Sequence, residues 1–503
     1  MFKIFQGFHL IQSYQEKKKA RRSEDKHVIA RVIKLFVAII TALVLWNLPQ
    51  GALGVELTIV EQRAVAVFAF ATLMWLLEAI PAWTTSILII VIMLLTMSES
   101  SLWFLKEASN GQELGTLLKA KDIMATWADP IIMLFLGGFM LAVAASKVGL
   151  DVLLAKALLK PFGSKSETVL LGFLLITGLF SMFVSNTATA AMMLTFLGPV
   201  LKSMPVDGKG RIGLALAIPI GANVGGIGTP IGTPPNAIAL KYLNDPEGLN
   251  LGIGFDDWLF VMMPYAFLIL FIAWFVLKTM FPFKKKNIEV NIEGEVQKGA
   301  HAYIVYVTFA VTILMWCLEK VTQVDANTVA MIPIAVFCAT GVITRRDLEE
   351  INWSVLWMVA GGFALGLALN KTGLAQTLIT AIPFDTWSAL LVLVASGLIC
   401  WLLSNFISNT ATAALLVPIL ALVGSSMEAQ LASFGGISTL LIGIALAASL
   451  AMMLPISTPP NAIAHSTGLI EQKDMRNVGI IMGIIGLVIG YGMLILLGTI
   501  GYF

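Results

Sequence analysis

The sequence predicts an all-α polytopic membrane protein with about eleven transmembrane helices, two re-entrant hairpins and an inverted internal repeat. Of its 503 residues, 58% are hydrophobic and 12% are charged, about half the charged share of roughly 25% that soluble domains carry. At about 20 apolar residues per crossing, this composition suffices for roughly a dozen spans. Several motifs also recur at a nearly constant offset, which indicates a duplication. A soluble globular fold is excluded.

The N-terminal segment is predicted to lie in the cytoplasm. Residues 1–31 combine scattered apolar side chains with the basic run KKKARR at residues 17–22. Polar residues interrupt the apolar ones, so this segment is expected to be an interfacial helix and not a signal peptide. The net charge of +2 does not indicate a nucleic-acid partner. The first span is expected within residues 32–60.

Apolar runs bounded by charges, glycine or proline predict the crossings. Eleven are expected, at residues 32–48, 64–80, 83–97, 127–146, 211–240, 257–281, 302–318, 327–343, 352–370, 436–468 and 477–500. Two further apolar stretches, 168–201 and 387–424, are divided by polar clusters that would be costly to expose to lipid. They are predicted to be re-entrant hairpins, surrounded by protein or water.

The placement of basic residues predicts the orientation in the membrane. With the N-terminus inside, the cytoplasmic loops contain the basic clusters at 202–211, 284–286, 345–346 and 473–476. The opposite loops are mixed or acidic, as the positive-inside bias expects. The protein is therefore predicted to cross the inner (plasma) membrane many times, with its N-terminus in the cytoplasm and its C-terminus outside.

An internal repeat organises the chain. Four motifs recur at offsets of 223 to 225 residues: GGF at 137 and 361, K-x-G at 147 and 371, SNTATAA at 185 and 408, and TPPNAIA at 233 and 458. Repeat 1 is predicted at 61–283 and repeat 2 at 301–503, joined by a cytoplasmic linker at 284–300. Each repeat holds five crossings and one hairpin, so the second must enter the membrane upside down. Such repeats are typical of secondary transporters, whose site lies at the repeat interface near mid-membrane.

The paired motifs predict a binding site without fixed charge. The Pro-Pro step of TPPN predicts helix breaks within 211–240 and 436–468. Broken helices expose carbonyl oxygens, which with Ser, Thr and Asn oxygens suit a small alkali cation, and N–H groups, which suit an anion. Asp, Glu, Lys and Arg are absent from residues 168–201, 212–240, 386–427 and 429–470. A bound ion must therefore be neutralised by another bound ion.

The paired SNT and TPPN motifs, together with E-A-I-P at residues 78–81, resemble those of the divalent anion/sodium symporter family, the dicarboxylate and tricarboxylate carriers. The similarity covers nearly the whole chain after residue 30. The resemblance implies a homodimer with an elevator-type mechanism, in which the hairpins and broken helices move across the membrane against a fixed scaffold. It also implies Na⁺ as the coupling ion and a small dicarboxylate as the substrate.

The resemblance further implies individual ligands. The first sodium site would use the residues Ser181, Ser185, Asn186 and the carbonyl of Gly232. The second would use Ser404, Asn409 and the carbonyls of Ile407 and Ser457. The substrate carboxylates would contact Asn186, Thr187, Thr233, Asn409, Thr410, Thr458 and Pro459.

The expected activity is sodium-coupled uptake of C4-dicarboxylates such as succinate, malate or fumarate. A sodium-independent exchanger of 2-oxoglutarate, malate, citrate or tartrate is the alternative, and sulfate and tricarboxylates stay open as substrates. The chain has no H-E-x-x-H or G-x-S-x-G pattern and no T-V-G-Y-G filter, which disfavours an enzyme and a channel. For Glu78 and Asp129, interfacial solvation or helix capping is expected in preference to proton transfer. For His465, packing or a hydrogen bond is expected, and tuning of substrate protonation or cation coupling is the alternative.

Overall fold

The apolar runs of the sequence form helices in the computed structural model, which describes residues 28–502 except 50, 108–111, 206–207, 247, 291 and 293. Within these residues there is no β-strand, and extended pairing is limited to two isolated β-bridges. The predicted basic segment falls outside the described residues up to position 27. The all-α class is confirmed.

Eleven helices form the N-terminal half: α1 (Val28–Trp46), α2 (Ile59–Leu77), α3 (Ala82–Thr96), α4 (Ala120–Ala125), α5 (Pro130–Val148), α6 (Leu150–Leu159), α7 (Ser166–Phe183), α8 (Asn186–Lys202), α9 (Gly210–Gly226), α10 (Pro234–Leu243) and α11 (Phe255–Met280). Twelve follow: α12 (Ala300–Cys317), α13 (Glu319–Thr322), α14 (Ala326–Ala339), α15 (Arg345–Glu349), α16 (Trp353–Lys371), α17 (Leu374–Ala381), α18 (Ala389–Ser404), α19 (Asn409–Ser426), α20 (Glu428–Leu431), α21 (Gly436–Ser449), α22 (Pro459–Ser466) and α23 (Gln472–Thr499).

Nine of the described helical segments are long and apolar enough to cross a membrane, or ten if the bent pair Glu428–Phe434 and Gly436–Ser449 is one span. The nine include α7 and α19, which belong to the predicted hairpins. The crossings predicted at 83–97 and 327–343 correspond to the shorter helices α3 and α14. The multi-pass character of the protein is therefore confirmed.

Helix α2 begins before the predicted boundary at residue 64, and two charged side chains of its first turns lie inside the fold. Glu61 and Arg63 are 4% and 5% exposed. Arg63 donates to the carbonyl oxygens of Thr96 at 2.7 Å and Leu105 at 2.8 Å. Glu61 accepts a hydrogen bond from Thr377 at 2.5 Å. Hydrogen bonding makes the burial of these charges tolerable, and a count of charges along the sequence does not reveal it.

The two halves of the chain pack reciprocally. Helix α10 packs against α19 and α21, and the corresponding helix α22 packs against α8 and α9. Farther out, α3 packs on α16 and α14 packs on α5. The second segment of each broken helix, α10 or α22, thus lies against a hairpin helix of the other half, whereas the first segments α9 and α21 pack on the hairpin of their own half.

Glycines bring α9 against α7. A Cβ atom at Gly225 would lie 2.3 Å from the carbonyl oxygen of Gly178, and one at Gly221 would lie 2.8 Å from the Cβ of Thr177. Gly221 and Gly225 form a G-x-x-x-G pattern, which allows close approach of helix backbones in membranes. The backbone of α9 is thereby held beside the hairpin.

We expect Gly225→Ala to destabilise the protein, because its methyl group would overlap the backbone of Gly178. The free energy of unfolding should fall by about 1–3 kcal/mol, the usual cost of overpacking. A thermal unfolding curve in detergent measures this as a lower midpoint. The control is Gly198→Ala within α8, where a Cβ would meet nothing within 4 Å. An unchanged midpoint for Gly225→Ala would contradict the close packing.

Candidate binding site at the hairpin tips and helix breaks

Each SNT motif turns the chain between the two helices of a hairpin. Ser185 is the N-cap of α8 and accepts a hydrogen bond from the Ala188 N–H at 3.3 Å. Ser408 is the N-cap of α19 and accepts one from the Ala411 N–H at 3.2 Å. Serine is a preferred N-cap residue, because its hydroxyl satisfies one of the free N–H groups of the first turn. The remaining N–H groups leave a partial positive charge at each hairpin tip.

The predicted helix breaks are present. Helix α9 ends at Gly226 and α10 begins at Pro234, while α21 ends at Ser449 and α22 begins at Pro459. The prolines occupy the first positions of the second half-helices, where the absent N–H would have no helical partner. The backbone is therefore open in the loops before the Pro-Pro steps, and not at the steps themselves.

The asparagine of each TPPN motif holds its break together. The Asn236 amide lies within hydrogen-bonding range, 2.8–3.2 Å, of three loop carbonyl oxygens: those of Gly226, Ile227 and Thr229. The Asn461 amide donates at 2.9 and 3.0 Å to two: those of Met452 and Leu454. Both asparagines are buried. Neither asparagine is among the site residues predicted from the sequence, although both belong to the TPPN motifs.

In repeat 1 a cluster of neutral polar groups surrounds Asn186. The amide atom of Asn186 that points into the protein lies 2.5 Å from Ser181 Oγ, 3.0 Å from the Gly232 carbonyl oxygen and 3.2 Å from the Ala222 carbonyl oxygen. All three neighbours can accept hydrogen bonds, so the amide nitrogen is assigned to face them. Ser181 in turn donates to the Ala222 carbonyl at 2.8 Å. The contacts thus join three predicted ligands, whereas the Ser185 hydroxyl caps α8.

Repeat 2 repeats this arrangement in part. Ser404 Oγ lies 3.0 Å from Asn409 Oδ1 and 3.2 Å from the Ala448 carbonyl oxygen. Ile407 is buried three residues after Ser404. The Ser457 hydroxyl lies 3.0 Å from the carbonyl oxygen of Asn405 and 3.2 Å from its Oδ1. The hydroxyl of Ser457 thus braces the loop, and its predicted role concerns its carbonyl.

Asn405 is a buried residue that is not among the predicted site residues. Its amide donates to the Trp401 carbonyl at 2.8 Å, and its oxygen accepts from the Met453 N–H at 2.8 Å. It ties the tip of the second hairpin to the break between α21 and α22. The available signal was an asparagine inside an apolar hairpin, three residues before SNT.

The predicted substrate residues differ in exposure. Three hydroxyl groups belong to buried residues, Thr233, Thr410 and Thr458. Three more residues are half-buried, Asn186, Thr187 and Asn409, and Pro459 is exposed. The described contacts connect the two repeats here through Asn223, whose amide donates to Thr458 Oγ1 and to Asn461 Oδ1, each at 3.1 Å. Asn223 was also missed, although it is a polar residue within an apolar span.

The site relies on neutral dipoles. Among the described residues, no group of three His, Cys, Asp or Glu side chains is arranged to hold a metal ion. His465 Nδ1 lies 2.9 Å from the Ile470 carbonyl oxygen. Asp129 caps α5 by accepting from the Ile131 N–H at 3.0 Å and pairs with Lys241. These contacts agree with the structural roles expected for His465 and Asp129.

Comparison with known proteins agrees with this architecture. The family described as "Sodium:sulfate symporter transmembrane region" matches residues 29–500. An uncharacterized transporter of Haemophilus influenzae is 31% identical over 87% of this chain and 90% of its own. The sodium-dependent dicarboxylate transporter SdcS of Staphylococcus aureus is 29% identical, over 84% of each chain. The inorganic phosphate transporter PHO87 of Saccharomyces cerevisiae is 28% identical, over 83% of this chain but 44% of its own.

A solved structure supports the fold. The antimetabolite efflux pump MtrF of Neisseria gonorrhoeae superposes with a TM-score of 0.52, over 83% of this chain and 95% of that one, at 13% sequence identity. At this low identity the likeness concerns the fold alone.

We expect Asn461→Ala to destabilise the second helix break. The change removes the amide donor from two buried carbonyl groups and one of the two acceptors of the Asn223 amide. We expect the free energy of unfolding to fall by about 2–3 kcal/mol. Thermal unfolding in detergent measures the loss. The control is Asn47→Ala, since the exposed amide of Asn47 donates to the Leu43 carbonyl at the end of α1. Equal midpoints for the two variants would show that Asn461 does not hold the break.

Proposed function

The chain belongs to the sodium:sulfate symporter transmembrane family, and on that premise we propose that it takes up C4-dicarboxylates, such as succinate, malate or fumarate, together with sodium. The match confirms the resemblance to divalent anion/sodium symporters and the expectation of a transporter that is not an enzyme. The observation that carries the proposal is the buried cluster of neutral oxygens around Asn186, beside an open helix break.

This cluster supports sodium as the coupling ion. Ser181, Ala222 and Gly232 each turn an oxygen toward the Asn186 amide. With a cation among them, the amide can rotate and present its own oxygen as a fourth ligand. Hard cations without d-electron chemistry are bound by such carbonyl, amide and hydroxyl oxygens. Ser404 and Asn409 would form the corresponding site in repeat 2.

The hairpin tips support an anionic substrate. The N-termini of α8 and α19 direct partial positive charge toward the SNT motifs, and hydroxyl groups of Thr187 and Thr410 follow directly. A dianion in such a site would be neutralised by bound sodium and not by protein charges, so each ion favours binding of the other. Dicarboxylate is preferred over phosphate because SdcS aligns over most of its length, whereas PHO87 aligns over less than half.

Contacts between loops support the predicted orientation. Lys285 donates to the Ser203 carbonyl at 3.0 Å, and Lys147 pairs with Asp347 at 2.5 Å. Desolvation raises the pKa of Asp347, but the hydrogen bonds from Lys147 and Thr344 outweigh this effect and lower the pKa to about 2. Basic loops of both halves thus meet at one end of the molecule. By the positive-inside bias this end is cytoplasmic, in an inner (plasma) membrane.

The opposite end supports an inverted repeat. There Lys320 pairs with Asp257, and Thr377 of α17 donates to Glu61. The first hairpin begins at the basic end, where Ser166 donates to the Lys285 carbonyl at 2.5 Å. The second hairpin follows α17 and so begins at the other end. The two hairpins would enter the membrane from opposite sides, and the C-terminus would lie outside.

We assign the moving part to the two hairpins with α9, α10, α21 and α22, and the scaffold to the outer helices of a homodimer. A cavity of about 660 Å³ lies at one boundary between the two parts, beside the ion pair of Lys241 with Asp129. Lys241 of α10 and Pro418 of α19 line one side, and Asp129, Phe363 and Asn370 line the other. Incomplete packing at this boundary is compatible with sliding, whereas a close-packed core would resist it.

Proteoliposomes test the activity. Uptake of labelled succinate should be faster with an inward sodium gradient than with an equal potassium gradient, because sodium neutralises the substrate in the site. Liposomes without protein are the control. Uptake that ignores sodium but requires internal dicarboxylate would contradict symport and support exchange, and uptake of phosphate or sulfate alone would contradict the substrate.

Asn186→Ala and Asn409→Ala test the site. Each change removes a predicted ligand of both sodium and substrate, so we expect succinate uptake to fall by more than about tenfold. The folded fraction on size-exclusion chromatography should stay unchanged. Thr195→Ala, whose exposed hydroxyl bonds its own helix at the Ala191 carbonyl, is the control. Normal uptake by either asparagine variant would refute the assignment.

A further inference from the structure

Asn223 lies where the broken helix of repeat 1 meets that of repeat 2. The residue is 2% exposed, near the end of α9. Its amide donates one hydrogen bond to Thr458 Oγ1 and one to Asn461 Oδ1, both at 3.1 Å. Thr458 is a predicted substrate residue, so this side chain connects one half of the protein to the substrate region of the other.

The hydrogen bonds determine where the Thr458 hydroxyl can point its proton. Its oxygen accepts from the Asn461 N–H at 3.3 Å and from the Asn223 amide at 3.1 Å. A hydroxyl group has two acceptor positions and one proton. Both acceptor positions are filled, so the proton is free to be donated to a third partner. A carboxylate oxygen of the substrate is such a partner.

The hydrogen bonds of Asn461 fix the orientation of both its own amide and the Asn223 amide. The Asn461 amide nitrogen is occupied by the carbonyl oxygens of Met452 and Leu454. The Asn461 oxygen must therefore face Asn223, which must present its nitrogen. The remaining oxygen of Asn223 is buried without a hydrogen-bond partner. This unsatisfied oxygen is a free-energy cost of holding the Asn223 amide nitrogen toward Thr458 and Asn461.

Asn223 also adjoins the proposed sodium cluster. The preceding residue, Ala222, accepts the hydrogen bond of Ser181 at 2.8 Å and lies 3.2 Å from the Asn186 amide. The carbonyl of residue 222 and the side chain of residue 223 therefore face two different regions. One faces the candidate cation ligands, and the other faces the candidate anion ligand Thr458.

The second repeat lacks this link. Ser404 contacts the Ala448 carbonyl as Ser181 contacts that of Ala222, so Ser449 is the counterpart of Asn223. The Ser449 hydroxyl donates to the Ala445 carbonyl at 2.9 Å, within its own helix. The contact between repeats through position 223 thus has no equivalent at position 449.

We propose that Asn223 is a positioning residue that couples cation binding at the Asn186 cluster to anion binding at Thr458. A cation that draws in the Ala222 carbonyl sets the adjoining backbone and, through it, the Asn223 amide. That amide keeps the Thr458 proton available for the carboxylate. The inference rests on the proposed sodium-coupled transport. Because coupling is reciprocal, the substrate must also raise the affinity for sodium.

The test compares the succinate concentration for half-maximal uptake in proteoliposomes at low and at saturating sodium. The ratio of the two concentrations measures the coupling. Asn223→Ser introduces the residue type of the second repeat, which is too short to reach Thr458, and Asn223→Ala removes the polar group entirely. Ser449→Ala is the matched control. Thermal unfolding in detergent shows which variants are folded.

We expect the wild type and Ser449→Ala to share one ratio, and Asn223→Ser to lower it about fivefold, the effect of one hydrogen bond. The maximal rate with both solutes saturating should change less than the ratio does. A purely structural role would lower the maximal rate and the unfolding midpoint but leave the ratio unchanged. If Asn223→Ala does not fold, Asn223→Ser decides the question.

The outcomes separate the two proposals. A wild type whose succinate uptake does not respond to sodium would contradict the proposed function and this inference together. A wild type that responds, with a folded Asn223→Ser variant of the same ratio, would overturn only the role of Asn223. An equally lowered ratio in Ser449→Ala would also overturn the role of Asn223, because the effect would not be specific to the contact between repeats.

Discussion

An interrupted helix inside an apolar interior leaves carbonyl groups without partners, and the central part of this protein depends on how they are satisfied. In water these groups would bind solvent, but at the breaks after α9 and α21 they face protein. The buried amide of Asn236 lies within hydrogen-bonding range of three of these carbonyl oxygens, and the buried amide of Asn461 donates to two. These hydrogen bonds, together with those of Asn405 and Ser457 in the second break, allow the open loops to persist.

Once the breaks are stable, the chemistry proposed for the candidate site follows from the neutrality of its residues. Hydroxyl, amide and carbonyl groups can bind a cation and an anion, but they cannot cancel the charge of either one alone. A bound pair of opposite ions is the arrangement that such a site favours. The glycine contact between α7 and α9 contributes by bringing the Ala222 carbonyl within reach of Ser181.

Much of this arrangement could be predicted from local signals. Proline pairs mark where a second half-helix begins, serine marks a helix N-cap, and both patterns act within a few residues. The breaks and the hairpin turns were therefore predicted close to their observed positions. The start of α2 was predicted too late, because charged residues were taken to bound the span. A local capping box of Thr58 and Glu61 starts the helix, and distant carbonyl groups of Thr96 and Leu105 accept the hydrogen bonds of the buried Arg63.

The sequence by itself determined the helical class, the duplication and the paired polar motifs, since periodicity, helix caps and repeats are properties of neighbouring residues. Only the tertiary structure decided that Ser181 meets Ala222, that Asn405 braces Ser457, and that Asn223 reaches Thr458. These contacts join residues 41, 52 and 235 positions apart. Such partners depend on how helices pack in space, and no local pattern specifies that.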